Sequence, residues 1–183
     1  ESLVHLNAIT EMHAITDGAD GISIGGAVIL RELAESSLLQ AHFSAVAQAA
    51  GEVAGPSHRE YGTLGGNLCL DTRCVFYNQS EWWRAANNYC LKYQGDICHV
   101  APKGKKCFAA FSGDVAPALL LFDARVELAG PKGRRRIALA DMYRNDGMDH
   151  LTLGEGELLV AVHLPKSPSP ITTGYAKSRV RGS

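Results

Sequence analysis

No stretch of this sequence stays apolar for anything near the ~20 residues that a membrane-spanning helix needs. The longest such run, Pro117 to Phe122, is only the length of a core segment. Neither sign of charge dominates: the formal net charge is -1 and the isoelectric point about 6.7, so nothing pulls the whole chain toward nucleic acid or an anionic membrane. There is no Cys-x-x-Cys pair, no Gly-x-Gly-x-x-Gly fingerprint, no internal repeat and no low-complexity tract. These absences remove the two-knuckle zinc pattern and the Rossmann dinucleotide pattern. An initiating Met is also missing, and the sequence stops inside a strand-like segment, so the chain is expected to be a piece of a longer polypeptide.

What is present is ordinary in amount and unusual in placement. With 183 residues, 46% of them hydrophobic, the chain can bury a normal core as one domain or one domain plus an excursion. Such a chain needs no disulfide staples, and a lone cysteine in it reads as a small buried hydrophobe. Yet four of the five cysteines, Cys74, Cys90, Cys98 and Cys107, fall in one segment, Asp71 to Cys107, with both tryptophans between the first two.

Around that segment the pattern is regular. GISIGGAV reads as a strand entering a glycine turn. In the run from Ala27 to Gly55, apolar residues recur at helical spacing, with Ser36-Ser37 dividing two helices. DVAPALLLFDA reads as a helix capped by Asp114. RVELAG, RRRIALADMY, ELLVAVHLP and TGYAKSRV are strand-like, separated by turns at Gly130-Pro131 and 166–170. Helices amid short strands without a βαβ repeat predict an α+β domain with a mainly antiparallel sheet and flanking helices. The basic run Lys132 to Arg136 reads as a solvated hairpin.

Thr63-Leu64-Gly65-Gly66-Asn67 is the first candidate for chemistry. Adjacent glycines let a backbone come close to a ligand, where their N–H groups can cradle a diphosphate, and Thr63 and Asn67 add side-chain donors. A tight turn is the competing reading. Together with IGGAVILREL, the Asp-x-x-Pro of Asp114 to Pro117, and GEGELLVAVHLP, this loop resembles the flavin-binding subunit or domain of the molybdenum hydroxylases, the family of xanthine dehydrogenase and carbon monoxide dehydrogenase. The resemblance runs from about Leu3 to Arg181. It implies the larger FAD-binding subdomain, over 1–70 and 108–183, without the small N-terminal subdomain's Gly-Gly loop or a C-terminal domain. It also implies that Thr63, Gly65, Gly66 and Asn67 lie along the FAD diphosphate and ribityl chain, that Asp114 hydrogen-bonds the flavin, and that Leu153 and Lys177 sit near the isoalloxazine ring. Expected partners are a molybdenum-cofactor subunit and a [2Fe-2S] subunit, in a cytoplasmic enzyme.

Relative to that family, residues 71–107 are an insertion. The spacing C-x15-C-x7-C-x8-C offers four thiolates from separate directions, which suits a [4Fe-4S] cube and leaves zinc open. The 4-hydroxybenzoyl-CoA reductase branch of the family carries a comparable insertion holding a [4Fe-4S] cluster. Likeness to it implies electron transfer from a donor such as a ferredoxin toward the molybdenum subunit, with no catalytic residue on this chain. Oxidation of an aldehyde or N-heterocycle and a structural zinc module are the alternatives. Phe76, Tyr77, Trp82, Trp83, Tyr89 and Tyr93 are expected to pack around the metal group. Cys69 is expected to be packed and inert, and His99 is not a ligand. Lys103, Lys105 and Lys106 could attract an acidic donor.

Overall fold

Ile22 and Ile24 alternate with Ser23, the period of a strand with one buried face, and they lie in the second strand of a five-stranded sheet. The computed structural model describes residues 4–166 and 171–178. The strands are β1 Ile15–Gly18, β2 Gly21–Gly25, β3 Arg125–Gly130, β4 Gly133–Ala138 and β5 Leu158–Pro165. Their order is β1-β2-β5-β3-β4, every pair is antiparallel, and β3 carries a bulge against β5 between Glu127 and Leu128. The α+β class with an antiparallel sheet and flanking helices is the one the sequence predicts.

The helices are short: α1 Leu30–Glu35, α2 Ser37–His42, α3 Ser44–Gly51, α4 Pro56–Arg59, α5 Leu64–Leu68, α6 Glu81–Ala86 and α7 Val115–Leu120. Ser36 breaks the first helical run as expected, its hydroxyl accepting the Leu39 amide at 3.4 Å to start α2. A second break falls at Phe43, which leaves the helical region and turns its ring edge-on to Phe122, 4.9 Å away. Three helices therefore stand where two are expected. The helix expected over 114–124 closes at Leu120.

Two units make up the chain: Glu1–Cys69 with Gly113–Ala140 and Leu153–Ser183, and Leu70–Ser112 with Asp141–Thr152. The sheet and all helices except α6 belong to the first. Its core includes the fully buried Ile24, Leu33, Leu39, Leu64, Leu119, Leu128 and Leu164, each contributing about 1.5–3 kcal/mol by leaving water. Edge strand β4 is exposed, and its arginines are paired: Arg134 with Glu11 and Glu127, Arg135 with Glu157, and Arg136 with Glu127. The solvated hairpin expected at 132–136 is this edge.

The tail differs from expectation. Residues 171–178 form no strand and are instead held by α3 and the residue after it. Ser44 donates to the Thr173 carbonyl at 3.1 Å, the Gln48 side chain accepts the Tyr175 amide at 2.9 Å, and the Glu52 carbonyl accepts Lys177 Nζ at 3.2 Å. The turn at 167–170 and the end of the expected strand at 179–180 lie outside the described residues.

Candidate functional site

Thr63 holds an extended conformation, and its hydroxyl accepts the Gly66 amide at 3.1 Å, so the glycine loop becomes the N-capped helix α5. The amides from Leu64 to Asn67 all have protein partners. Leu64 donates to the Val28 carbonyl at 2.9 Å, Gly65 to that of Gly26 at 2.8 Å, and Asn67 to that of Thr63 at 2.9 Å. The expectation of glycine N–H groups free to cradle a diphosphate is therefore corrected: the Gly66 amide is spent on capping and the Gly65 amide on the Gly26 carbonyl just after β2. Gly65 is glycine because a Cβ there would stand 2.9 Å from the Gly26 oxygen. Gly66 faces solvent. The donors left to a ligand are the Thr63 hydroxyl proton and the Asn67 Nδ2 amide.

Buried Asn67 turns its Oδ1 to the Val115 amide at 3.1 Å. This bond does the capping expected of Asp114, whose side chain makes none. The Asp114 carboxylate instead accepts Lys177 Nζ at 2.7 Å and the Tyr175 hydroxyl at 3.2 Å. Asn67, Asp114 and Lys177 are thus brought together, bonded directly or through Val115. Leu153 is half-buried just ahead of a turn that the Gly154 amide closes on Glu157 at 2.7 Å, and it is not joined to that hydrogen-bonded set. An open cavity of about 770 Å³ lies along α3 and the tail, lined by Ser44, Gln48, Glu52, Tyr175 and Lys177 among others. Of the predicted flavin residues only Lys177 lines it.

In the second unit Cys74, Cys90, Cys98 and Cys107 all line one small cavity, with Phe76, Tyr77, Lys92 and His99 in the same wall. All four thiols are unpaired, and the last three cysteines are buried. Backbone amides are aimed at two of the sulfurs. Burial raises the Cys98 thiol, but hydrogen bonds from the Phe108, Ala101 and Val100 amides outweigh it and hold the group below its ordinary value. Burial pushes Cys107 up, partly offset by the Ala109 amide, 3.4 Å from Sγ. Among the described residues, no three His, Cys, Asp or Glu side chains close on a single-ion position. The thiols ring a space.

The aromatic prediction divides. Phe76 and Tyr77 wall the cavity, Trp83 packs on Phe76 with centroids 6.4 Å apart, and Tyr89 meets Tyr93 at 5.8 Å. Trp82 is 77% exposed and takes no part, because helix α6 turns it outward. His99 gives Nε2 to the Tyr89 carbonyl. Lys92 and Asp146, which accepts the Cys107 amide at 3.2 Å, are members of the site that no spacing in the sequence marks.

The family profile described as the FAD binding domain in molybdopterin dehydrogenase matches residues 1–167. The chain belongs to this family. It is 34% identical over 160 residues to the aldehyde oxidoreductase FAD-binding subunit PaoB of Escherichia coli K12, covering 82% of this chain and 50% of that one. It is 28% identical over 167 residues to a xanthine dehydrogenase FAD-binding subunit of Escherichia coli O157:H7, covering 91% and 44%. The chain therefore spans about half the length of the curated relatives it matches. The same fold occurs in carbon monoxide dehydrogenase of Hydrogenophaga pseudoflava, with a TM-score of 0.60 and 21% identity over 89% of this chain and 43% of that one.

The residues present fit both groups that this family and the inserted cysteines bring into question. For a molybdopterin-dehydrogenase flavin domain, the Thr63 hydroxyl and the Asn67 amide would be the donors to a diphosphate, beside the exposed Gly66. Four thiols lining one cavity, two of them receiving backbone N–H groups, are the residues that would hold a polynuclear iron–sulfur group. No helix among the described residues is long and apolar enough to cross a membrane.

Proposed function

We propose that this chain is the flavin- and iron–sulfur-carrying electron-transfer part of a molybdenum-containing reductase. In this reading electrons pass from an external donor such as a ferredoxin to partner subunits holding [2Fe-2S] clusters and the molybdenum cofactor, for reductive dehydroxylation of 4-hydroxybenzoyl-CoA to benzoyl-CoA. The observation that carries it is the convergence of Cys74, Cys90, Cys98 and Cys107 on one cavity in a chain of the flavin-domain family. A bound [4Fe-4S] cluster supplies one-electron transfer, and FAD supplies exchange between one- and two-electron transfer. The four thiolates hold the cluster, while Phe76 and Tyr77 keep water from it. Thr63 and Asn67 donate to the FAD diphosphate and ribityl chain, with the glycine backbone of Gly65 and Gly66 leaving room for close approach; Asp114 hydrogen-bonds the flavin, and Lys177 and Leu153 sit near its ring. Lys103 and Lys105, both exposed, attract an acidic donor protein. Substrate chemistry belongs to a partner subunit, and free thiols fit the reducing cytoplasm.

Metal, acid-labile sulfide and flavin content of the intact enzyme, purified without oxygen, test this. The iron and sulfide of one [4Fe-4S] cluster per flavin, beyond that of the partner subunit, are expected. Zinc bound to these thiols in place of iron would overturn it. Kinship with the FAD-binding subunits of an aldehyde oxidoreductase and a xanthine dehydrogenase favours a second reading, oxidation of an aldehyde or N-heterocycle. Turnover of such substrates, without turnover of the hydroxyaryl thioester by reduced enzyme, would select it.

A further inference from the structure

The Lys92 side chain is only 6% exposed. Burying an ammonium costs several kcal/mol unless its donors are satisfied, and four oxygens surround this one. Nζ lies 2.7 Å from Asp71 Oδ1, 2.5 Å from Thr72 Oγ1, 3.0 Å from the Gly147 carbonyl and 3.4 Å from that of Thr72. It also stands 5.3 Å from the centre of the Tyr77 ring. The arrangement fixes the charge in place without cancelling it. Asp71, its anionic partner among the described residues, is 60% exposed, so water screens the negative end while the positive end stays inside. That end belongs to a side chain in the wall of the four-cysteine cavity.

We propose that Lys92 is a charge-tuning residue, whose fixed ammonium beside the four-cysteine cavity raises the reduction potential of the cluster bound there. This rests on the [4Fe-4S] reading above. A cube held by four thiolates is anionic and gains one more negative charge on reduction, so a buried cation stabilises the reduced form more than the oxidised one. Net charge and burial are the levers that set such potentials. Asp146 is the opposing carboxylate, but it is already engaged by the Cys107 amide at 3.2 Å and the Met148 amide at 2.9 Å. Lys92 would thus ease the cluster's acceptance of an electron from the donor.

The test is an EPR-monitored potentiometric titration of the intact enzyme, with iron and sulfide analysis of each variant. Lys92→Met should retain iron and sulfide while its one-electron reduction equilibrium falls at least tenfold, or 59 mV. Lys92→Arg, keeping the charge, should stay within a factor of two of wild type. Asp71→Asn, at an exposed residue, should shift the equilibrium the other way by leaving Lys92 less compensated. A merely structural strut would not produce these opposite shifts. If Lys92→Met keeps its cluster with an unchanged equilibrium, the proposal fails and the cluster reading stands. Should Lys92→Met lose its iron, Asp71→Asn decides: an upward shift supports the proposal, and no shift or a downward one overturns it. Wild-type enzyme without iron at these cysteines ends both.

Discussion

The Oδ1 of Asn67 accepts the amide of Val115 at 3.1 Å, joining residues 48 apart in the chain across the whole inserted segment. Asn67 ends the glycine loop and Val115 begins α7, so one buried side chain ties together the two parts of the flavin-domain fold that the excursion separates in sequence. Asn67→Ala should strand the Val115 amide and cost about 1–3 kcal/mol, read as a lower thermal midpoint. Asn67→Asp keeps an acceptor for Val115 but loses the Nδ2 donor. It should keep most of the stability and lose flavin content. Equal loss of both properties in the two variants would contradict this division of roles.

The five cysteines should behave as two classes. Burial pushes the Cys69 thiol up to about 11, so at neutral pH it is protonated and neither a ligand nor a nucleophile. Cys69→Ser should leave iron, sulfide and flavin almost unchanged, and Cys69 should resist alkylation near neutral pH. Serine at Cys74, Cys90, Cys98 or Cys107 should remove the cluster signal. Retention of iron in two of those variants would refute the ligand set.

How far these features could be read from sequence depends on the range of the interaction behind them. Strand β2, the β3–β4 hairpin and β5 follow from local alternation and turn residues, and the break at Ser36 from local capping. The thiols were conspicuous because cysteine is scarce. Asn67 was visible as the end of a glycine loop, but its bond to Val115 depends on a partner 48 residues away. The tail at 173–178 has strand-like alternation, yet it finds side chains of α3 instead of a neighbouring strand. Lys92 carries no signal at all: only the fold puts Asp71, Thr72 and Gly147 around it. Residues 141–152 join the second unit although nothing in their composition separates them from the strands on either side.

Acid should test the charged edge of the sheet. Hydrogen bonding from Arg136, opposed by burial and reinforced by Arg134 and His163, lowers the Glu127 carboxyl to about 2. A folded value below the unfolded one, about 4.3, means that the ionised group stabilises the fold above the unfolded value. That contribution is lost as pH falls from about 4.3 toward 2. With the arginine partners half-exposed, solvent screening leaves roughly 1–2 kcal/mol. Glu127→Gln should lower the thermal midpoint at neutral pH by that amount. It should also flatten the dependence between pH 4 and 2, and a wild-type slope in that window would exclude the assignment.

Lys177 and Asp114 make the sharpest test of the flavin reading, because their pairing and their proposed role predict different things. The ion pair is 2.7 Å long and partly exposed, 26% on the lysine side and 16% on the aspartate side. Its loss in Lys177→Met should therefore cost only about 1 kcal/mol of stability, with Tyr175 still bonded to the carboxylate. If Lys177 also faces the isoalloxazine ring, its removal takes a cation from beside a group that becomes more negative on reduction. The two-electron flavin equilibrium should then shift about tenfold toward the oxidised form, or ~30 mV. Asp114→Asn should move it the opposite way by leaving the lysine unpaired. Spectroscopic titration of the intact enzyme measures both shifts. A lysine that only anchors the tail to α3 would lower the melting temperature and leave the flavin potential where it was.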